Sequence, residues 1–383
     1  MRTSFTHLVG VEHPLVGFNR SPGVVAAVTN AGGLGVLAAT AYTPEELDAQ
    51  LTWIEEQVDG KPYGVDLLVP EKFVAGDPNG LVASLRAQIP AEHLAFVQRL
   101  LDKYGIPAIA EGAGAYQDDV AASINPAGAA ALLDVAFDHP IALVANALGT
   151  PPPQMVERAK SQGVVVASLV GQPKHAVRQL DCGVDVLIAQ GTEAGGHTGT
   201  IATTVLTPEI VDLAEGRPVL AAGGIGSGRQ MAAALALGAA GVWCGSVWLS
   251  SQEDITPIEV KEKFLAATSS DTLRSKTRTG KPARQLRSAW HDEWEAEGAP
   301  APLPMPLQPM LVNEAWNRID AAAAAGNDGA KKLESFFIGQ VVGSFTALRP
   351  AADIARQLVD DCEQRLRELA ALVPEPSTHL QEA

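Results

Sequence analysis

The chain has 383 residues, 46% of them apolar, and sets 28 lysines and arginines against 44 aspartates and glutamates, for a formal charge of −16. That balance argues against nucleic acid or an acidic membrane as a partner, since both need basic surfaces. It leaves room for an anionic ligand held locally by backbone amides.

Length alone allows one large domain or two ordinary ones. Cys182, Cys244 and Cys362 are too widely spaced for a metal-ligand pair or a disulfide framework. Cys182 and Cys244 lie beside apolar runs and are expected as packed thiols. The first residues lack the apolar core of a signal peptide. No stretch reaches about 18 uninterrupted apolar residues, so a soluble cytoplasmic protein is expected.

Short apolar runs alternate with amphipathic helical patterns, which favours parallel βαβ units. The first expected strand is His13–Phe18, followed by a helix over Pro22–Ala31 with Val24, Val25 and Val28 on one face. Gly32–Ala39 reads as the second strand. Thr43, Pro44 and Glu46 form a capping box that opens a helix running to about Val58.

Tyr63–Val69 is the third expected strand, and residues 71–139 read as an enlarged loop with a helix at Glu92–Tyr104. Ile141–Asn146, Val164–Val170, Val184–Gln190, Pro218–Ala222 and Gly241–Cys244 bring the count to eight. Eight βα units over roughly 250 residues predict an α/β protein of the TIM (β/α)8 barrel class.

Residues 1–250 are thus expected as the barrel, 251–332 as a lid or strap, and 333–383 as a C-terminal helix packing back on it. Residues 251–275 look helical and charged. The prolines of 297–310 predict an extended strap. Ala351–Leu372 is expected as the last helix, with Ile354, Leu358, Cys362, Leu366 and Leu369 on one stripe.

The chemistry concentrates in 188–199, Ile-Ala-Gln-Gly-Thr-Glu-Ala-Gly-Gly-His-Thr-Gly, directly after the sixth strand. His197 there can transfer a proton or bond a ligand. Glu193 can orient it or simply be solvated, and the Gln190 amide can bond a ring edge. Gly223, Gly224 and Gly226, then Gly245 and Ser246, follow the seventh and eighth strands, where TIM barrels often bind phosphate. Glycine lets the backbone approach an anion there, and the helix after Ser227 and Gly228 turns its positive end towards it. The order is not a dinucleotide fingerprint, because the acidic residue about 20 positions on is missing. Asp66 and Asn146 also point near the strand tops, and a strand aspartate is costly unless it is paired or at a site.

These residues resemble the nitronate monooxygenase family, also called 2-nitropropane dioxygenase-like, whose members are FMN-dependent TIM-barrel enzymes. The resemblance rests on Gly10-Val-Glu-His-Pro14, Asn30-Ala-Gly-Gly-Leu-Gly35, Ala189-Gln-Gly-Thr-Glu-Ala-Gly-Gly-His-Thr-Gly199, Ala221-Ala-Gly-Gly-Ile-Gly226, Gly238 through Ser246 and Thr279-Gly-Lys-Pro-Ala-Arg284. It implies FMN as cofactor, with its phosphate on Gly223, Gly224, Gly226, Gly245 and Ser246. It further implies the isoalloxazine beside Gly17, Phe18, Asp66 and Gln190, the Gly195-Gly196 turn at the cofactor, and His197 as the catalytic residue.

Three positions depart from the family pattern. Ala147 stands where the family carries a strand-four histidine, Asp66 where it carries an asparagine, and Gly17-Phe18-Asn19 where it carries Ala-Pro-Met. The reading that follows is oxidation of a small anionic nitronate by O2, with His197 as a polar contact. The alternatives are an NAD(P)H-dependent FMN reductase of an enone, quinone or enoyl thioester, and a flavin-binding protein without turnover. The expected partner is a small-molecule substrate, with O2 or NAD(P)H as co-substrate. A homodimer is the assembly to test, without nucleic acid or membrane.

Overall fold

A computed structural model describes residues 1–69, 83–108, 126–147 and 149–373. Parts of the expected enlarged loop, and Leu148, lie outside these residues.

Eight parallel strands close into a barrel. They are β1 (Leu15–Asn19), β2 (Leu34–Ala38), β3 (Tyr63–Leu67), β4 (Leu143–Asn146), β5 (Val165–Val170), β6 (Val186–Gln190), β8 (Val219–Ala222) and β9 (Gly241–Cys244). The expected strand positions hold to within a few residues at each end. Closure comes from β9 pairing with β1, with Val16 opposite Trp243 and Gly17 opposite Cys244. The remaining strand, β7 (Gly196–His197), leaves the barrel. It joins β10 (Thr272–Ser275) and β11 (Ala283–Leu286) in a small antiparallel sheet.

Successive strand residues face opposite sides, and the core divides accordingly. Val16, Leu34, Val36, Leu143, Ala145, Val165, Ala167, Val186, Ile188, Leu220, Ala222 and Trp243 fill the barrel interior. Their neighbours Val65, Val144, Val166, Leu187 and Val219 pack outward against the helices.

Helix α1 (Ser4–Val9) seals the floor. Phe5 and Val9 join the interior cluster, and the Thr3 hydroxyl donates to the Ala240 carbonyl at 2.6 Å, just before β9.

The outer helices start where their signals predict. Helix α2 is Pro22–Asn30. Helix α3 (Pro44–Val58) carries the Thr43–Glu46 capping box with Pro44 at its first position. After it come α4 (Ala91–Lys103), α5 (Pro126–Asp138), α6 (Pro153–Gln162), α7 (Pro173–Asp181), α8 (Thr203–Leu213) and α9 (Gly228–Ala236). Cys182, expected to be packed, is instead exposed at the end of α7, while Cys244 and Cys362 are buried.

The region after the barrel differs from the expected strap. Residues 251–275 hold helix α10 (Ile258–Ala266) but end in strand β10. Helix α11 is Ala289–Glu295, and the proline-rich stretch turns helical at Leu307, opening α12 (Leu307–Ala324). Pro309 sits in the first turn of that helix, where the backbone N–H it lacks would have no partner in any case. Helix α13 (Asp328–Leu333) follows.

The two insertions form one helical layer. Val97, Leu100 and Leu101 of α4 pack with Trp290 and Trp294 of α11, Leu311, Val312, Trp316 and Ile319 of α12, and Leu333. Helix α14 (Ala351–Ala370) closes the chain. It lies so close to α9 that a Cβ on Gly228 would stand 2.4 Å from the Cβ of Asp361.

Phe5 is fully buried beneath the barrel. Phe5→Ala should cost about 3–5 kcal/mol, because the floor cannot collapse into the space. The expected readout is a lower denaturant midpoint with an unchanged slope, and a loss under about 1 kcal/mol would mean that the barrel is sealed by something else.

Candidate functional site

Alternation within the strands identifies the upper inner ring. Phe18, Ala38, Asp66, Ala145, Leu169, Gln190, Ala222 and Trp243 face inward, in phase with the interior cluster below them. Asp66 is the only ionisable group in this ring among the described residues. It is 4% exposed, and its Oδ1 is sealed from solvent without a hydrogen-bond partner. Burial alone pushes its carboxyl well above the usual carboxylate range. Phe18 and Trp243 lean on each other from the adjacent strands β1 and β9 at 5.6 Å.

Ala147, immediately after β4, continues the inward phase and places a methyl group at the mouth. Its amide donates to the Leu67 carbonyl at 3.1 Å. Asn146 faces outward and ties β3 to β4: it accepts from the Val69 amide at 3.0 Å and donates to the Val69 carbonyl at 3.3 Å. Gly17 also faces outward. A Cβ there would lie 2.6 Å from Val28 of α2, so helix packing accounts for this glycine.

The expected cradle lies at the tops of β8 and β9. Gly223 and Gly224 are consecutive left-handed residues, φ +94° and +73°, a conformation that turns backbone amides inward and that other residues adopt at a cost. A Cβ at Gly223 would come 3.0 Å from the Ala194 amide, and one at Gly224 would come 3.3 Å from the Glu193 side chain. Gly245 faces Phe18, whose ring would lie 3.5 Å from a Cβ there.

One of the expected donors, the Gly226 amide, is already engaged, and the Ser246 hydroxyl is used as an acceptor. The Gly226 amide donates to Gln230 Oε1 at 2.9 Å. The Ser246 hydroxyl accepts from the Gly339 amide at 2.8 Å. Ser227 caps α9 by accepting from the Gln230 amide.

His197 is not on a barrel strand. It sits at the mouth on β7, paired with Ala283 of β11, and its Nε2 is 2.8 Å from the Thr279 hydroxyl. The ring keeps solvent access. Protein packed around it nevertheless lowers its pKa below the ordinary value, and the charge of Lys281 lowers it further. The imidazole is therefore neutral at neutral pH. Phe337 lies 6.4 Å away, centroid to centroid.

Glu193 does not orient His197. Its carboxylate accepts from the Thr203 amide and hydroxyl, both at 2.9 Å, and so satisfies the first turn of α8. Gly195 makes room for the chain at Ile338 and Gly339, where a Cβ would meet backbone at 2.9 Å, and Gly196 takes φ +76° with open space beside it.

The segment Phe336–Ser344 belongs to the site, and sequence reasoning missed it. Besides the Gly339–Ser246 bond, the Gln340 amide donates to the Glu193 carbonyl at 3.0 Å. Val341 stands 3.3 Å from where a Gly226 Cβ would be. Its one sequence signal is the pair Gly339 and Gly343, too sparse to separate from an ordinary turn.

Basic side chains surround this mouth in an otherwise acidic chain. Arg274 donates to the Thr198 carbonyl at 2.7 Å, and Arg284 to the Thr192 carbonyl at 2.9 Å. The two arginines are directly opposed across β10 and β11. A like-charged cross-strand pair is unfavourable by itself, and each guanidinium is held by a loop carbonyl. Arg20 stacks on Phe336 at 4.5 Å, and Arg278 on Trp316 at 4.0 Å. The arrangement can hold an anionic group at the cradle and an anionic substrate at the mouth.

Comparisons with known proteins agree with this architecture. A family profile described as nitronate monooxygenase matches residues 3–361. A putative monooxygenase of Mycobacterium tuberculosis is 52% identical over 379 residues, covering 97% of this chain and 100% of that protein. The (3aS,4S,5R,7aS)-5-hydroxy-7a-methyl-1-oxo-octahydro-1H-indene-4-carboxyl-CoA dehydrogenase of Rhodococcus jostii is 31% identical over 409 residues, covering 97% and 99%. Among solved structures, a nitroalkane oxidase from Streptomyces ansochromogenes superposes with a TM-score of 0.75 at 27% identity, covering 95% of this chain and 99% of that one.

Gly224→Asp tests the cradle. It puts a side chain where the backbone is left-handed, at a cost of about 1–2 kcal/mol, and adds a second carboxylate beside Glu193. The expected result is a protein with an unchanged far-UV circular dichroism spectrum that purifies without flavin. Full flavin retention would remove this turn from the binding site.

Proposed function

The chain belongs to the nitronate monooxygenase family, a family of flavin-dependent oxidoreductases, and on that premise we propose that it binds FMN and oxidises a small, anionic, nitronate-like substrate with O2 as the final electron acceptor. One observation carries the reading: the left-handed Gly223-Gly224 turn opens onto an inner ring whose sole ionisable side chain, among the described residues, is a buried carboxyl.

The residues present fit the cofactor on two counts. The left-handed 223–224 backbone is so closely packed that a Cβ would press on Ala194 or Glu193, and Asp66 leaves a buried polar atom without a partner beneath whatever binds at the top of the ring. Gly223, Gly224 and Gly245 would hold the phosphate, with the helix after Ser227 behind them. Phe18, Trp243 and Gln190 would border the ring. Bound FMN supplies the electron-accepting chemistry, which the protein positions and shields.

An anionic substrate suits the described residues, which offer no strong base at the mouth. Ala147 offers no base beside β4, and His197 is a neutral imidazole bonded to Thr279. A neutral carbon acid would need a strong base to lose its proton. A nitronate arrives with that proton already gone, and Lys281, Arg274 and Arg284 favour an anion at the mouth. His197 would then contribute a hydrogen bond, not proton abstraction.

A second reading has support of its own. The Rhodococcus relative is named as a dehydrogenase of an indene-carboxyl-CoA and matches over nearly its full length. An NAD(P)H-dependent FMN reductase acting on an enone, quinone or enoyl thioester would use the same cradle and mouth. Oxygen uptake separates the two. The nitronate reading expects uptake with ethylnitronate alone and little with neutral nitroethane, and a requirement for NAD(P)H would favour the reductase.

His197→Ala should lower kcat/KM for ethylnitronate about 10- to 100-fold, the range for losing a hydrogen bond to a charged group, with FMN still bound. At saturating ethylnitronate, wild-type turnover should be steady across neutral pH and fall on the acid side, below the ordinary histidine range near ~6.5. Unchanged turnover in the variant would take His197 off the list of catalytic residues.

A further inference from the structure

Asp66 has the environment of a group that does not ionise. It lies in the top layer of the parallel barrel, on the inward face of β3, opposite Ala145 of β4 and Ala38 of β2. Those neighbours are methyl groups. The next inward position on β4 is Ala147, another methyl. Among the described residues no charged side chain acts on the carboxyl, and burial is the only influence on its titration. Asn146, which could have bonded it, faces outward and is committed to Val69. His197 and Lys281 belong to the separate sheet of β7 and β11 and its connecting loop.

An ionised carboxylate in such a place, with neither cation nor donor, is strongly disfavoured. A neutral carboxyl is far less costly, but its O–H still needs an acceptor. None of the described residues provides one to the sealed oxygen, and a ligand oxygen bound at the top of the ring would.

Building on the reading of the site given above, we propose that Asp66 is a neutral carboxyl that donates a hydrogen bond to the anionic oxygen of the substrate. The pairing is chemically specific. A nitronate or enolate oxygen is a strong acceptor, and a donor without charge binds it in a dry pocket without an unpaired ion. The absent side chain at Ala147 leaves space beside β3 for that oxygen. An ionised Asp66 would repel the same ligand, so binding must weaken as pH rises through the carboxyl's titration. Asparagine would retain a neutral donor, whereas alanine would not.

The test uses the purified holoprotein and nitrate, a planar unreactive anion, with binding followed by calorimetry from mildly acidic to alkaline pH. Wild type should bind more weakly as pH rises. Asp66→Asn should bind within about threefold of the acidic wild-type value at every pH, and Asp66→Ala should bind about 10- to 100-fold more weakly throughout. An infrared difference spectrum between wild type and Asp66→Asn should contain the carbonyl band of a protonated carboxyl at neutral pH.

Carboxylate bands in place of that signal, or wild-type nitrate binding by Asp66→Ala, would overturn the inference. The infrared measurement requires neither turnover nor flavin. A protein that ignores nitronates but carries the protonated carboxyl and the nitrate pattern would retain this role for Asp66 and lose only the proposed substrate.

Discussion

Closing eight parallel strands fixes the phase of every strand residue, and the rest of the molecule depends on that constraint. Once β9 pairs with β1, alternate residues must face a space too narrow for water and too crowded for charge. The lower layers answer with Val16, Leu34, Val36, Leu143, Val165, Val186 and Leu220, and α1 plugs the floor with Phe5 and Val9. Only the top layer is free to carry chemistry. That is where Phe18, Asp66, Gln190 and Trp243 fall, and where the backbone turns at Gly223 and Gly245 face the opening.

The same constraint explains why function is split between two kinds of scaffold. The strands offer rigid inward positions but little polar capacity. The mouth supplies the polar groups from elsewhere: β7, β10 and β11 present His197, Arg274 and Arg284, and the segment at Gly339–Val341 locks onto Glu193 and Ser246. Glu193 spends its carboxylate on α8, and Arg274 and Arg284 spend donors on loop carbonyls. Much of the mouth's charge is thus structural, holding the 192–199 loop in place, while Asp66 is left unspent.

What the sequence made legible follows from how local each signal is. The Thr43–Glu46 capping box, the helix opening at Pro22 and the strand-turn-helix order of 218–228 are written within a few residues, and the structure contains all three. Strand β7 has two residues and therefore no period to detect. Helix α12 hides behind prolines that a first helical turn tolerates. Glu193 finds its partner ten residues on, and Ser246 is bonded by Gly339 from far along the chain; no local pattern announces such pairings. The enlarged loop and the supposed strap read as separate features because their shared core, Val97 and Leu100 against Trp290 and Leu311, exists only in three dimensions.

The central claim is that the upper ring and glycine cradle hold a flavin that an anionic substrate reduces directly. The most direct measurement is the absorbance spectrum of the purified protein, followed by anaerobic addition of NADPH, NADH and then ethylnitronate. The account predicts a yellow protein that keeps its colour with either nucleotide and bleaches with the nitronate. Bleaching by a pyridine nucleotide alone would contradict the substrate assignment, and a colourless protein that cannot take up FMN would contradict the site itself.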